Sequence, residues 1–159
     1  MTPRIVTINE KKLVGKRMTM SYVDYRIGEL WGSFMPRRKE ITNNLSNDLI
    51  SLVVYTPTHF DHFKPTNHFE RWATVEVADF NAVPDEMETY ILSSGLYAVF
   101  NYKGMSAEAP AFFRYIYSEW LPDSGYKLDN RPHFEVLGEK YKNNDPSSEE
   151  EIWIPIKEK

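Results

Sequence analysis

The chain is expected to be an α+β protein made of duplicated β-α-β-β units with pseudo-twofold symmetry. Its antiparallel sheet should carry two helices on one face and hold a central ligand cleft. Three observations in the 159-residue sequence predict this. Apolar residues recur at helical spacing twice, at Val23, Ile27, Leu30, Trp31 and Phe34 and again at Phe112, Phe113, Ile116, Tyr117 and Trp120. Alternating or β-branched segments flank each of these stretches. The two stretches end alike, at Phe34-Met35-Pro36 and Trp120-Leu121-Pro122, an offset of 122 − 36 = 86 residues.

In the first unit, Ile5 to Ile8 alternates weakly and Lys11 to Ser21 alternates Leu13, Met18 and Met20 with polar neighbours, as a half-buried strand does. The first helix is expected from Val23, with Ser21 or Asp24 available to cap it and Pro36 ending or kinking it. A short strand from Leu49 to Tyr55, a long connection bracketed by Pro57 and Pro65, and a strand over Arg71 to Val77 complete the unit. Asp79 to Glu86, with Pro84, is the candidate linker. In the second unit, Met87–Leu92 and Leu96–Tyr102 surround the turn signal Ser93-Ser94-Gly95. A helix from about Ala107 tolerates Pro110 in its first turn. The strand from His133 to Leu137, a polar loop from Asn143 to Glu150 and a last strand over Ile152 to Ile156 follow. Pro155 suits an edge or terminal position in that strand. The whole of 1–159 is expected to be one domain, with repeats over about 4–80 and about 86–157.

Composition narrows the function. A net charge of −4 argues against a nucleic-acid surface, and Arg37-Arg38-Lys39 reads as the positive end of a helix meeting its own dipole. No apolar run reaches the ~20 residues of a membrane span, and Met1-Thr2-Pro3-Arg4 lacks a signal-peptide core, so the cytoplasm is the expected location. The absence of cysteine excludes disulfides and thiolate chemistry. Ten Tyr, nine Phe and four Trp supply material for pocket walls as well as for a core.

Several segments together resemble the GyrI-like small-molecule-binding domains, found also as effector-binding domains of AraC- and MerR-type bacterial regulators. They are Arg71 to Asp79 (RWATVEVAD), Val83-Pro84, Leu96 to Gly104 (LYAVFNYKG), Trp120 to Tyr126 (WLPDSGY), Pro132 to Glu135 (PHFE) and Ile152 to Ile156 (IWIPI). With strands expected from about residue 5 to 156, no room is foreseen for a helix-turn-helix module, so the resemblance implies a stand-alone binding domain. It also implies a sponge or sensor for apolar, cationic or aromatic molecules, a hydrolase acting on strained rings such as cyclopropanes, or a gyrase-inhibitor-type protein partner.

The resemblance places Glu135 in the central cleft, as counter-charge to a cationic ligand or as the base of a hydrolase. The expected aromatic walls are Trp31 and Phe34 on the first helix, Tyr117 and Trp120 on the second, and Trp153 on the last strand, with Tyr55 and Tyr97 adding hydroxyls. Solvent or the core is the competing destination for each. His133, at the start of the same strand, is expected half exposed. His59, Asp61, His62 and His68 have a metal-like spacing, but they read as a protruding loop, and neither metal nor cofactor is assigned. Glu149 to Glu151 reads as a solvated loop.

Overall fold

A computed structural model of the chain describes residues 2–143 and 145–159. Its sheet is antiparallel throughout, in the order β1-β6-β9-β8-β3-β4-β2-β5, with β7 pairing β9 off this path. The strands are β1 (Arg4–Ile8), β2 (Lys11–Met20), β3 (Leu49–Val54), β4 (Phe69–Val77), β5 (Glu88–Leu92), β6 (Gly95–Lys103), β7 (Tyr126–Leu128), β8 (His133–Leu137) and β9 (Glu149–Glu158). The order is palindromic. β1, β6, β9 and β8 on one side answer to β5, β2, β4 and β3 on the other.

The registers locate the pseudo-twofold axis. Ser51 on β3 lies opposite Glu135 on β8, 135 − 51 = 84 residues later in the chain, and β1 and β5 are separated by the same offset, from Arg4 to Glu88. The axis therefore passes through the β3–β8 ladder between Ser51 and Glu135. Each unit gains a leading strand, β1 or β5, which crosses over to pair with the other unit: β1 with β6, and β5 with β2. This exchange is absent from the β-α-β-β expectation. It ties the two units together at both ends of the sheet.

Both helices lie on one face. Helix α1 (Ile27–Phe34) buries Leu30 and Phe34 against Val14, Val53, Ala73 and Val75. It starts later than its apolar spacing suggests. Val23 is 65% exposed, and Ser21 caps no helix; its Oγ accepts a bond from the Asp24 N–H in the preceding turn. After Phe34 the chain tightens into a 3-10 helix (Met35–Glu40), because Pro36 has no N–H for an α-helical bond.

The second helix begins as a 3-10 turn (Ser106–Glu108), continues as α2 (Ala109–Tyr115), widens into a π segment (Ile116–Trp120) and closes with a last turn (Leu121–Asp123). The wide turn precedes Pro122, which cannot donate to a carbonyl one turn back, and the Leu121 N–H reaches the Ile116 carbonyl instead. Ile116 packs this helix on Ala98, Phe100, Ile152 and Ile154. A third apolar cluster, including Leu13, Leu52, Trp72, Tyr97 and Phe134, forms on the other face of the sheet. Against expectation, β9 is an interior strand. Its proline is tolerated because Pro155 lies beyond the β8 ladder, which stops at Trp153. Among the described residues no helix is long and apolar enough to cross a membrane.

Gly15 marks a close approach. A Cβ there would collide with the backbone carbonyl of Ala73 across the β2–β4 ladder, whereas one on Gly32, in α1, meets nothing within 4 Å. Gly15→Ala is expected to destabilise by about 2–3 kcal/mol. Gly32→Ala should stabilise by about 1 kcal/mol. Urea unfolding of the two variants beside the wild type would read both signs.

Candidate functional site

Between the parts of the sheet covered by the two helices, the middle strands carry a polar row, of which Ser51, Arg71 and His133 are buried. Directly opposed residues of an antiparallel pair project to the same side. Ser51 opposes Glu135 across β3 and β8, Val53 opposes His133, and Arg71 on β4 opposes Val53, so all five share the helix-bearing face. On β9, Ile152 opposes Glu135, and Glu150, two residues earlier, adds a second carboxylate to that face.

The pseudo-axis makes this floor electrostatically lopsided. Ser51 faces Ala73 on β4 while Glu135 faces Ile152 on β9, so two residues earlier on each strand Arg71 and Glu150 are equivalents. Unit one thus contributes a guanidinium and a hydroxyl, which bond to each other (Arg71 Nη2 to Ser51 Oγ, 2.7 Å). Unit two contributes two carboxylates. Among the described residues neither carboxylate has a hydrogen bond or ion pair, and that of Glu135 is held above its ordinary titration range by burial, which Arg71 only partly offsets. Glu150 moves the same way, through burial and then the charge of Glu135. Burial and mutual repulsion thus push both carboxyls up, Glu150 to about 8.

Aromatic side chains wall the floor. The π segment carries Tyr117, whose hydroxyl pairs with His133 Nδ1 at 3.1 Å. Burial, then the charges of His59 and Arg71, lower His133 to about 3. Its imidazole is therefore neutral, and it accepts or donates according to tautomer. The hydroxyls of Tyr55 and Tyr22 pair at 3.0 Å, and the Tyr55 ring stands edge-on to His133, with centroids 5.0 Å apart. Phe60 tilts over Tyr117 and His133 at 5.8 and 5.9 Å. At the mouth, Tyr22, Tyr25, Phe60 and Phe63 are 43–52% exposed, a contiguous aromatic rim of the kind that marks a ligand-binding groove.

The expected site residues divide. Tyr117 lies within electrostatic reach of both Glu135 and Tyr55 beside the polar row. Phe34 is fully buried in the core, and Trp31 packs against the same cluster, edge to face with Phe34. Trp120 stands edge-on to Phe100 in the second core. Tyr97 and Trp153 are on the opposite face, since strand alternation turns Trp153, next to Ile152, away from Glu135. Tyr97 is fixed there by a 2.7 Å bond from its hydroxyl to the Pro132 carbonyl, with the Arg131 guanidinium over its ring.

His133, expected half exposed, is buried at 7% exposure. Glu149 to Glu151, expected in a solvated loop, are the first residues of β9. His59 is buried among Tyr55, Phe60 and Phe63, and both its ring nitrogens lack a partner, while His62 and His68 line an open pocket of about 410 Å3 in the 56–68 connection. Among the described residues no three metal-binding side chains converge.

Arg71, Glu150, Tyr22, Tyr25 and Phe60 were not foreseen. Arg71 left a trace, because it interrupts the buried series Phe69, Ala73, Val75, Val77 on one side of β4. Glu150 left none: its role depends on the register of β9.

A two-helix sheet domain with an acidic, aromatic-walled cleft on its pseudo-axis is a small-molecule-binding class of fold. The chain belongs to the GyrI-like family, whose model, described as a GyrI-like small molecule binding domain, matches residues 1–157. It is 29% identical over 157 residues to the transcriptional regulator BrlR of Pseudomonas aeruginosa, covering 98% of this chain and 56% of the regulator, so the chain spans little more than half the length of that curated relative. Its fold is similar to that of SAV2435 bound to tetraphenylphosphonium, with TM-score 0.71, 16% identity and coverage of 99% of this chain and 94% of the other. A similar fold occurs in a hydrolase encoded by lin2189 from Listeria innocua, with TM-score 0.61, 10% identity and coverage of 98% and 92%.

The raised carboxyls carry a stability signature. A carboxyl whose folded pKa lies above its unfolded value supports the fold below the unfolded pKa and loses that support as pH rises through the folded one. Glu135→Gln is therefore expected to stabilise the ligand-free protein at pH 8 by on the order of 1 kcal/mol, with the gain vanishing near pH 4. Thermal melts across that range would show it. Tyr117→Phe removes the partner of a buried imidazole and should cost about 1–3 kcal/mol in the same assay.

Proposed function

We propose that this domain captures a small aromatic or bulky apolar organic cation in the cleft, as a sequestering or sensing module. One observation carries the reading: among the described residues two carboxylates, Glu135 and Glu150, stand without any ion pair on the aromatic-walled floor. An organic cation seated there would relieve the desolvated charge and favour the ionised carboxylates. Tyr22, Tyr55, Phe60 and Tyr117 offer ring faces, each worth ~0.5–2 kcal/mol against a cation. A lipophilic cation bound in a structural neighbour of 16% identity supports the class of ligand.

Tetraphenylphosphonium is the direct probe. Calorimetric titration should give saturable one-site binding that weakens at least tenfold, about 1.4 kcal/mol, in Glu135→Gln. Affinity should also rise with pH through the range in which the pair loses its proton, because the cation binds the ionised form. Binding that is indifferent to both changes would place the ligand elsewhere.

A second reading, hydrolysis of a strained ring in the same cleft, draws on the ionised and protonated carboxyl pair beside the Tyr117–His133 hydrogen bond. One carboxylate would take a proton from water as its oxygen bonds to a ring carbon, while the breaking carbon–carbon bond receives a proton from the neighbouring carboxyl. Incubation with an activated cyclopropane tests it. Ring-opened product formed by the wild type and lost in Glu135→Gln is expected of an enzyme, and unchanged substrate rules this reading out.

A further inference from the structure

The cleft contains a cation of its own that the reading above does not use. Arg71 is only 8% exposed, and among the described residues its single bond to a side chain is the one from Nη2 to Ser51 Oγ at 2.7 Å. Its Nε is buried without a hydrogen-bond partner, and no ion pair joins it to Glu135 or Glu150 among the described residues. A buried guanidinium left in this state is costly, and burial opposes its charge. The nearby charges and phenols of Tyr25, Glu135, Tyr55 and Tyr22 nevertheless keep it protonated. Its place in the fold is specific. On the pseudo-axis Arg71 is the counterpart of Glu150, so the cleft has a basic end and an acidic end, with Ser51 and Glu135 between them. β4 and β9 are three strand spacings apart, about 14 Å across the sheet, and the rows of Arg71 and Glu150 are a further four residues apart along the strands. That span suits a multi-ring molecule carrying opposite charges at separate positions.

We propose that Arg71 is a ligand-binding residue that receives an anionic or strongly polarised oxygen, so that the preferred ligand is a dipolar aromatic, cationic at one position and carrying a carboxylate or phenolate at another. This rests on the proposed cation-binding role of the cleft and adds its specificity. A guanidinium presents parallel N–H donors that match a carboxylate, and the free Nε lies beside the bonded Nη2 in that fork. A purely cationic guest satisfies the acidic end alone and leaves the Arg71 donor unpaired in a site now closed to water. A dipolar guest satisfies both ends.

Rhodamine B and its ethyl ester separate the two cases, because they share the xanthylium cation and differ only in whether the carboxylate is free. Equilibrium binding by fluorescence anisotropy at pH 7.5 is expected to show the wild type binding rhodamine B about tenfold more tightly than the ester. Arg71→Met keeps an apolar stem and removes the fork. It should bring that ratio to about one or below while leaving ester affinity within about twofold.

A wild type that binds the ester in a Glu135-dependent way and shows no preference for rhodamine B overturns this proposal and leaves the cation-binding reading standing. If neither dye nor tetraphenylphosphonium binds, both fall. A loss of both dyes in equal proportion in a folded Arg71→Met protein assigns the arginine a structural role and also overturns the proposal. Should that variant fail to fold, the ratio measured on the wild type still decides.

Discussion

The ladder between β3 and β8 is the contact on which the rest of the structure depends. It joins the two units directly at the centre of the sheet, and the pseudo-axis runs through its Ser51 and Glu135 pair. From that pair outward, register fixes which residues share the helix-bearing face. The helices cannot cover the axis, because each is anchored to its own half, α1 by Leu30 and Phe34 and the second helix by Ile116. A polar row between two apolar cores, over the middle strands, is the geometric consequence of two helices on a duplicated sheet.

Duplication supplies the groove and divergence supplies its chemistry. At equivalent positions, unit one has Arg71 and Ser51, which bond to each other, while unit two has Glu150 and Glu135, which repel. Burial and that repulsion hold both carboxyls above their ordinary range. Strain of this kind, held in place by a well-packed scaffold, is what a binding site gives up when its ligand arrives. The π segment serves the same site, since the wide turn ahead of Pro122 carries the Tyr117 hydroxyl to within 3.1 Å of His133.

Most of the strands were legible, Arg71 to Val77 from its alternation and Leu96 to Tyr102 from a short apolar run beside the turn signal Ser93-Ser94-Gly95. Element ends were less so. Val23 extends the apolar spacing of α1 yet remains outside it, and β7 is a three-residue strand too short to leave a pattern. Aromatic residues were the least legible. Trp31, Phe34 and Trp120 have the spacing of a buried helix face, and that spacing is identical whether the face meets a core or a cavity. Tyr97 and Trp153 were lost to parity, since one residue along a strand separates the two faces of a sheet.

By itself the sequence determined the duplicated α+β plan and the positions of both helices, because hydrophobic period and turn residues act locally and are written into neighbouring positions; the candidacy of Glu135 came from the family resemblance of its segment. Only the tertiary structure decided that the leading strands exchange between units, that Glu150 joins Glu135 while Trp153 turns away, and that Arg71 is the counterpart of Glu150 across the axis. These are matters of register between strands far apart in the chain. No local pattern encodes them, because they follow from how the two halves dock along β3 and β8.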